Sequence, residues 1–337
     1  MSSAQTAEMQ QTWGGKIATY LFLAGLGAGA YLIGFILWLI SPDALNLFRL
    51  GIIISAPLVI IGILFLIFDL GRKASAFLAF SKISSSWIAR GTIIIITAFV
   101  IMDIIYLGFW IWPFSALATA PAAHFTLGSI IAIFAFLTLI YTGMVLGKAR
   151  SISFWSARFL PALFLVSGLS TGIMCLALYL ALISIFTGTD SEEFQLLARC
   201  NVYLIIVEAG IITIYFTWVR RFTDASNSVQ LLLAGKLAPG FWAGVVLAGL
   251  TIPFAFSLYE GYLSPGGHPA MPTMILISSI IGLIGGFMLR YVIISAGTSL
   301  PLNMRGIRVL VPNTAITIES QRLLWREAPD VRTTASR

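Results

Sequence analysis

Eight apolar stretches, each long enough to cross a bilayer, constrain this chain more than any other feature. They fall near 17–40, 47–69, 88–111, 124–147, 159–187, 195–219, 238–259 and 271–297. About 20 apolar residues in helical form match the hydrocarbon thickness of a membrane, and in lipid a helix satisfies its own backbone hydrogen bonds. Charged residues make up only 10% of the chain and hydrophobic ones 59%, and the mean hydropathy is +0.97. A soluble domain carries roughly 25% charged residues. The expectation is an all-α integral membrane protein, multi-pass in the cell (cytoplasmic or inner) membrane, with eight transmembrane helices. Residues 1–16 are polar and the first apolar run exceeds a signal-peptide core, so no cleavable signal is expected.

The same composition limits the chemistry. Cys175 and Cys200 are the only cysteines, too few for an iron–sulfur cluster held by four thiolates, and they read as small membrane-embedded side chains. His124 and His268 are the only histidines. A bis-histidine haem would consume both, yet His124 opens the fourth span and His268 lies in the loop before the eighth. The chain is expected to hold no haem, no iron–sulfur cluster and no metal. Its net charge of +7 reads as Lys and Arg in retained loops, not as a nucleic-acid surface.

Eight spans place both termini on one face with loops 70–87, 148–158 and 220–237. That face carries Arg72, Lys73, Lys82, Lys148, Arg150, Arg158, Arg220, Arg221 and Lys236, with further arginines in the tail. The opposite face is dominated by Asp43, Asp190, Glu192, Glu193 and Glu260. The positive-inside rule makes the terminus-bearing face cytoplasmic, but a basic face equally suits an acidic docking partner.

An internal repeat is visible. Gly25-Leu26-Gly27-Ala28-Gly29 in the first span and Gly168-Leu169-Ser170-Thr171-Gly172 in the fifth each follow a Leu-Phe-Leu run. Small residues spaced by four allow close helix approach. Copies four spans apart share one orientation, which makes the repeat parallel. The expected organisation is an N-terminal segment 1–16, a four-helix bundle 17–147, a second bundle 159–297 and a polar tail 298–337.

Charged groups inside spans are expensive and usually functional. Asp69 ends the second span, Asp103 lies in the third, Glu208 midway along the sixth and Arg290 in the eighth. Asp69 reads equally as a partner of Arg72 or Arg90 and as a site residue. Asp103 and Glu208 suit proton transfer or, more plainly, a packing pair with Arg290. Lys16, Tyr20, Trp87, Arg90, Tyr141, Trp155 and Arg158 gather at the terminus-bearing helix ends. Each aromatic alone reads as a membrane-interface belt residue; with Asp69, the group offers hydrogen-bond partners and a flat apolar slot fit for a quinone head group.

Four motifs resemble the NrfD/PsrC family of polysulfide-reductase membrane subunits: Trp13 with Tyr20 to Gly29, Phe68-Asp69-Leu70-Gly71-Arg72, Tyr141-Thr142-Gly143 with Arg150 and Trp155, and Leu160-Pro161 through Gly172. They cover most of the first 175 residues. The resemblance implies a menaquinone or other quinone site beside an iron–sulfur partner subunit. Through that partner it implies a molybdenum or tungsten catalytic subunit, or in some complexes a hydrogenase or multihaem cytochrome. It carries over Tyr20, Lys16 and Tyr141 as quinone-binding residues, with Asp69 and Arg72 as second choices. Tyr20 stands where some members have a histidine, leaving Asp69 or water as proton acceptor. Family members often dock partners on the outer face, whereas charge assigns the basic face to the cytoplasm. A secondary transporter or proton-translocating protein, with Pro57 and Pro253 as helix breaks, and a purely structural anchor are the rival readings. In the tail, Val309–Val311 and Ile316–Ile318 are candidate short strands, or the tail lies along a partner or the membrane.

Overall fold

A chain so apolar forms helices wherever it crosses lipid, and polar turns set their ends. The computed structural model describes residues 8–9, 14–69, 91–108, 121–147, 154–155, 159–187, 193–220, 223–263, 271–299, 303–304 and 307–308. Helix α1 spans Gly15–Ile40 and α2 Leu45–Asp69. A single tight turn, Pro42–Ala44, reverses the chain between them; the proline's missing N–H is harmless at such a start. Wide π-type turns over Gly91–Ile96 lead into α3, Thr97–Leu107. Then come α4 at Pro121–Gly147, α5 at Leu160–Thr187 and α6 at Glu193–Val219. A short helix α7, Thr223–Leu233, occupies what the sequence reads as a plain loop. Helix α8 runs Gly240–Leu263 and α9 Pro272–Ser295.

Most of α8 has π-type turns, from Gly240 to Thr251, and they stop just before Ile252-Pro253. A proline ring clashes with the carbonyl four residues earlier, and widened turns on that side relieve the clash. This is a local widening, not a break in the span.

Among the described residues, seven helices are long and apolar enough to cross a membrane; α3 is shorter. Strand β1, Glu8–Met9, pairs antiparallel with β2, Thr298–Ser299, just beyond α9. The start of α1 therefore lies beside the end of α9. In the tail unit Pro301–Arg337, β3 (Asn303–Met304) pairs with β4 (Ile307–Arg308); the candidate strands at 309–311 and 316–318 lie outside the described residues.

Helix α1 is the central element. It packs along α2 and α5 and also meets α4 and α9. Lipid gives helices no hydrophobic drive to associate, so close van der Waals approach must hold them. The three glycines of the Gly25–Gly29 motif each serve a different neighbour. A β-carbon on Gly27 would lie 2.7 Å from the Ser55 carbonyl oxygen of α2. One on Gly29 would fall into the Gly168 backbone of α5. One on Gly25 would lie 2.9 Å from an Arg290 guanidinium nitrogen of α9. On α5, a β-carbon at Gly172 would lie 2.8 Å from the Gly29 carbonyl oxygen. The two repeat motifs thus pack against each other. Large apolar side chains such as Phe68, Phe186 and Leu263 point outward, as they do where the surrounding solvent is hydrocarbon.

Candidate functional site

The terminus-bearing end of the molecule brings together part of the expected site. Lys16 is exposed on the first turn of α1, and Tyr20, one turn deeper, is buried. Tyr141, in the last two turns of α4, is also buried, and its ring lies directly over Gly91 at the start of the π-type turns leading to α3. Any β-carbon at Gly91 would overlap that ring, so the glycine is what admits the tyrosine. Two residues on, Gly143 lets α4 touch the start of α5, where a β-carbon would lie 2.9 Å from the Leu160 carbonyl oxygen. Asp69 ends α2, but its side chain, together with Arg72, Trp87, Arg90 and Arg158, lies outside the described residues.

Trp155 differs from the expected belt residue. It is fully buried and its indole Nε1 donates to the Ile293 carbonyl at 2.9 Å. The neighbouring Phe154 carbonyl accepts from Tyr215 Oη at 2.8 Å. Phe154 and Trp155, after α4, are thereby tied to α6 and α9. A buried indole needs a partner for its N–H, and here the helix carbonyl supplies it.

The intramembrane charges separate into two groups. Asp103 is fully buried on α3 and accepts a short hydrogen bond from Ser55 Oγ of α2; its Oδ1 has no partner among the described residues. Nearby, Tyr31 Oη donates to the Gly128 carbonyl at 3.1 Å, and Tyr106 Oη lies 3.1 Å from His124 Nδ1. His124 thus sits beside a phenol; His268 lies outside the described residues. The expected partnership of Asp103 with Arg290 is not what the structure brings together.

Glu208 is the acid that faces Arg290, beside Ser167. Arg290 is buried on α9 and donates to the Gly286 carbonyl at 2.8 Å and to Ser167 Oγ at 3.3 Å. Its guanidinium lies over the rings of Phe22 (5.4 Å) and Phe164 (5.7 Å). Cation–π contacts of this kind strengthen when desolvated. A cavity of about 230 Å³ adjoins Glu208, lined also by Ser170, Thr171 and Gly282.

Sequence reasoning missed the small polar groups that connect these charges. Ser170 Oγ donates to Asn201 Oδ1 at 3.2 Å, and Asn201 Nδ2 donates to Ser257 Oγ at 2.9 Å. An amide inside an apolar helix such as α6 is itself a signal; the serines are too common in membrane helices to be one. Among the described residues no three His, Cys, Asp or Glu side chains gather as a metal site.

The profile described as "Polysulphide reductase, NrfD" matches residues 4–301. The C subunit of the polysulfide reductase of Wolinella succinogenes is 30% identical over 306 residues, covering 85% of this chain and 94% of the relative. Protein NrfD of Escherichia coli strain K12 is 26% identical over 310 residues, with the same coverage. The NrfD homolog of Haemophilus influenzae is 28% identical over 308 residues, again covering 85% and 94%.

Proposed function

The chain belongs to the NrfD polysulphide reductase family, the multi-pass membrane subunits of oxidoreductase complexes, and from that premise we propose that it exchanges electrons between a membrane quinone and a partner iron–sulfur subunit. The observation that carries this reading is the family match across residues 4–301. It is supported by an arrangement at the terminus-bearing end that suits an oxygen-bearing ring: a cation at the rim on Lys16, with Tyr20 and Tyr141 buried beneath. Beyond the iron–sulfur partner would stand a molybdenum or tungsten catalytic subunit, a hydrogenase or a multihaem cytochrome.

In this reading Tyr20 and Tyr141 orient the ring by hydrogen bonding, and Lys16 stabilises negative charge at one ring oxygen. Asp69, which ends α2, and Arg72, three residues later in the sequence, are the second choices for the ring's other contacts. A bound quinol supplies two electrons and two protons. Asp69, Asp103 and Glu208 are the acids proposed to hold and pass protons. Asp103 keeps one oxygen on Ser55, and Glu208 keeps Arg290 as counter-charge. The segments 17–147 and 159–297 are proposed as two bundles descended from one duplicated unit.

The test is menaquinol oxidation by the purified complex carrying Tyr20→Phe or Lys16→Ala. Loss of one hydrogen bond to a developing charge lowers the rate about ten-fold or more. Wild-type rates in both variants remove these residues from the site.

A further inference from the structure

A cleft opens between α5, α6, α8 and α9, with about 560 Å³ of empty space counting the open part at its mouth. Its walls use the early turns of α6 and α9 and the last turns of α8. It therefore lies at the end of the bundle away from Tyr20 and Tyr141, roughly 25 Å along the helix axes at 1.5 Å rise per residue.

Five polar side chains of this cavity are at least nine-tenths buried: Asn201, Ser257, Glu260, Ser278 and Ser279. Asn201 and Ser257 are bonded to each other. Glu260, Ser278 and Ser279 make no hydrogen bond or ion pair among the described residues. Their oxygens are not sealed inside the protein but line the cleft, where a bound group or water would satisfy them. Together they offer donors and acceptors on adjacent walls, which a ring with hydroxyl or carbonyl oxygens would use.

The remaining walls are soft and flat-ring compatible. Met174, Met271 and Met274 stand with Phe194 and Phe256; thioethers and aromatic rings favour contact with another ring. Met271, Met274 and Tyr259 are exposed at the rim. The charges argue against an anionic head group. Glu260 is in the lining, and the nearby Arg199 is already committed, with Nε donating to the Gly261 carbonyl at 2.8 Å and its guanidinium 5.8 Å from the Tyr262 ring.

We propose that this cavity is a second quinone-binding site, on the opposite side of the membrane from the first, with the ring between the methionine and phenylalanine walls and its oxygens on Glu260, Asn201 and the Ser278–Ser279 pair. The inference rests on the reading that this chain handles a quinone at all. It adds a place where the carrier is held beside the Asn201–Ser170 link, which leads inward to the cavity shared by Ser170 and Glu208.

The test is photolabelling of the whole complex in lipid nanodiscs with an azido-quinone, with labelled peptides mapped by mass spectrometry. The expected result is two separate sets of labels: one on the α1 start and α4 end, the other on the segments carrying Phe256 and Met271–Ser279. Ser279→Phe fills the cavity and lowers the far labels about ten-fold while the near labels stay. Met274→Trp serves the same purpose should Ser279→Phe fail to assemble. Labels confined to α1 and α4 overturn the second site and leave the proposed function standing. Far labels alone support the cavity and overturn the Tyr20 and Tyr141 assignment. No labels at either place, with no quinol oxidation, overturn both. Unlabelled menaquinone must compete for the far labels; competition by phosphatidylethanolamine instead identifies a lipid niche and overturns the proposal.

Discussion

Arg290→Met removes a guanidinium from one of the most enclosed places in the molecule, and its effect can be worked out from its contacts. The side chain loses two hydrogen bonds, to Gly286 and Ser167, and two ring contacts. It also leaves Glu208 without its counter-charge. Among the described residues no direct ion pair joins the two charges, which act on each other beside Ser167, so the cost is about 1–3 kcal/mol, below that of breaking a buried pair. Glu208→Gln is milder, because Arg290 keeps its two oxygen partners and both rings; about 1 kcal/mol is expected from the lost attraction between the two charges. If the two charges hold each other, the double variant falls short of the sum by roughly 1–3 kcal/mol. The assay is unfolding of the purified complex in mixed micelles titrated with SDS, read by circular dichroism, for the wild type, both singles and the double. Strict additivity would refute the pairing. Rates of quinol oxidation in the same four proteins separate a structural Glu208 from a proton-carrying one: a structural role restores turnover in the double, a proton-carrying role does not.

Other substitutions test the packing that positions the candidate site. Gly172→Ala places a methyl 2.8 Å from the Gly29 carbonyl oxygen, and forcing α1 from α5 should destabilise by about 1–3 kcal/mol in the same SDS titration; an unchanged midpoint contradicts the close crossing. Ser55→Ala leaves buried Asp103 without its only hydrogen-bond donor among the side chains described and should cost about 1–3 kcal/mol. In an Asp103→Leu background the same change should be nearly silent, and an equal loss in both backgrounds refutes the bond. Trp155→Phe keeps the ring but frees the Ile293 carbonyl; about 1 kcal/mol of stability is expected to go, read by thermal melting.

The spans are legible in the sequence because a bilayer imposes a length and a composition that few other folds share. The bounds agree closely: hydropathy marks 159–187 and α5 is Leu160–Thr187; it marks 271–297 and α9 is Pro272–Ser295. Helix α7 escapes such a reading because Thr223–Leu233 is short and half polar, so neither length nor hydropathy marks it. The glycine motif announces close packing, but not that Gly25 makes room for an arginine 265 residues later in the chain. That notch depends on helix rotation, which a local pattern does not encode. Likewise Glu208 and Asp103 are equal candidates for Arg290 on hydropathy alone. Only the helix neighbours decide it: α3 packs on α2 and α4, whereas α5 packs on both α6 and α9, which brings Ser167 between Glu208 and Arg290.

The N-terminal and C-terminal helices differ in how they treat polar groups, and the difference bears on function. In the first half, Asp103 Oδ1 apart, several intramembrane polar groups close on nearby partners: Ser55 on Asp103, Tyr31 on Gly128, Tyr106 on His124. Such local closure favours a rigid frame, suited to holding Tyr20 and Tyr141 in place. In the second half they form a line instead, from Ser257 through Asn201 to Ser170 and on past the Glu208 cavity to Ser167 and Arg290. A line with cavities along it has room for water and for exchange of partners. Arg290 ends that line against Gly25 of α1, fewer than two helical turns from Tyr20. The rigid half and the polar half therefore meet on one helix, and a change of charge at Glu208 has a direct mechanical contact through which to reach the proposed quinone residues.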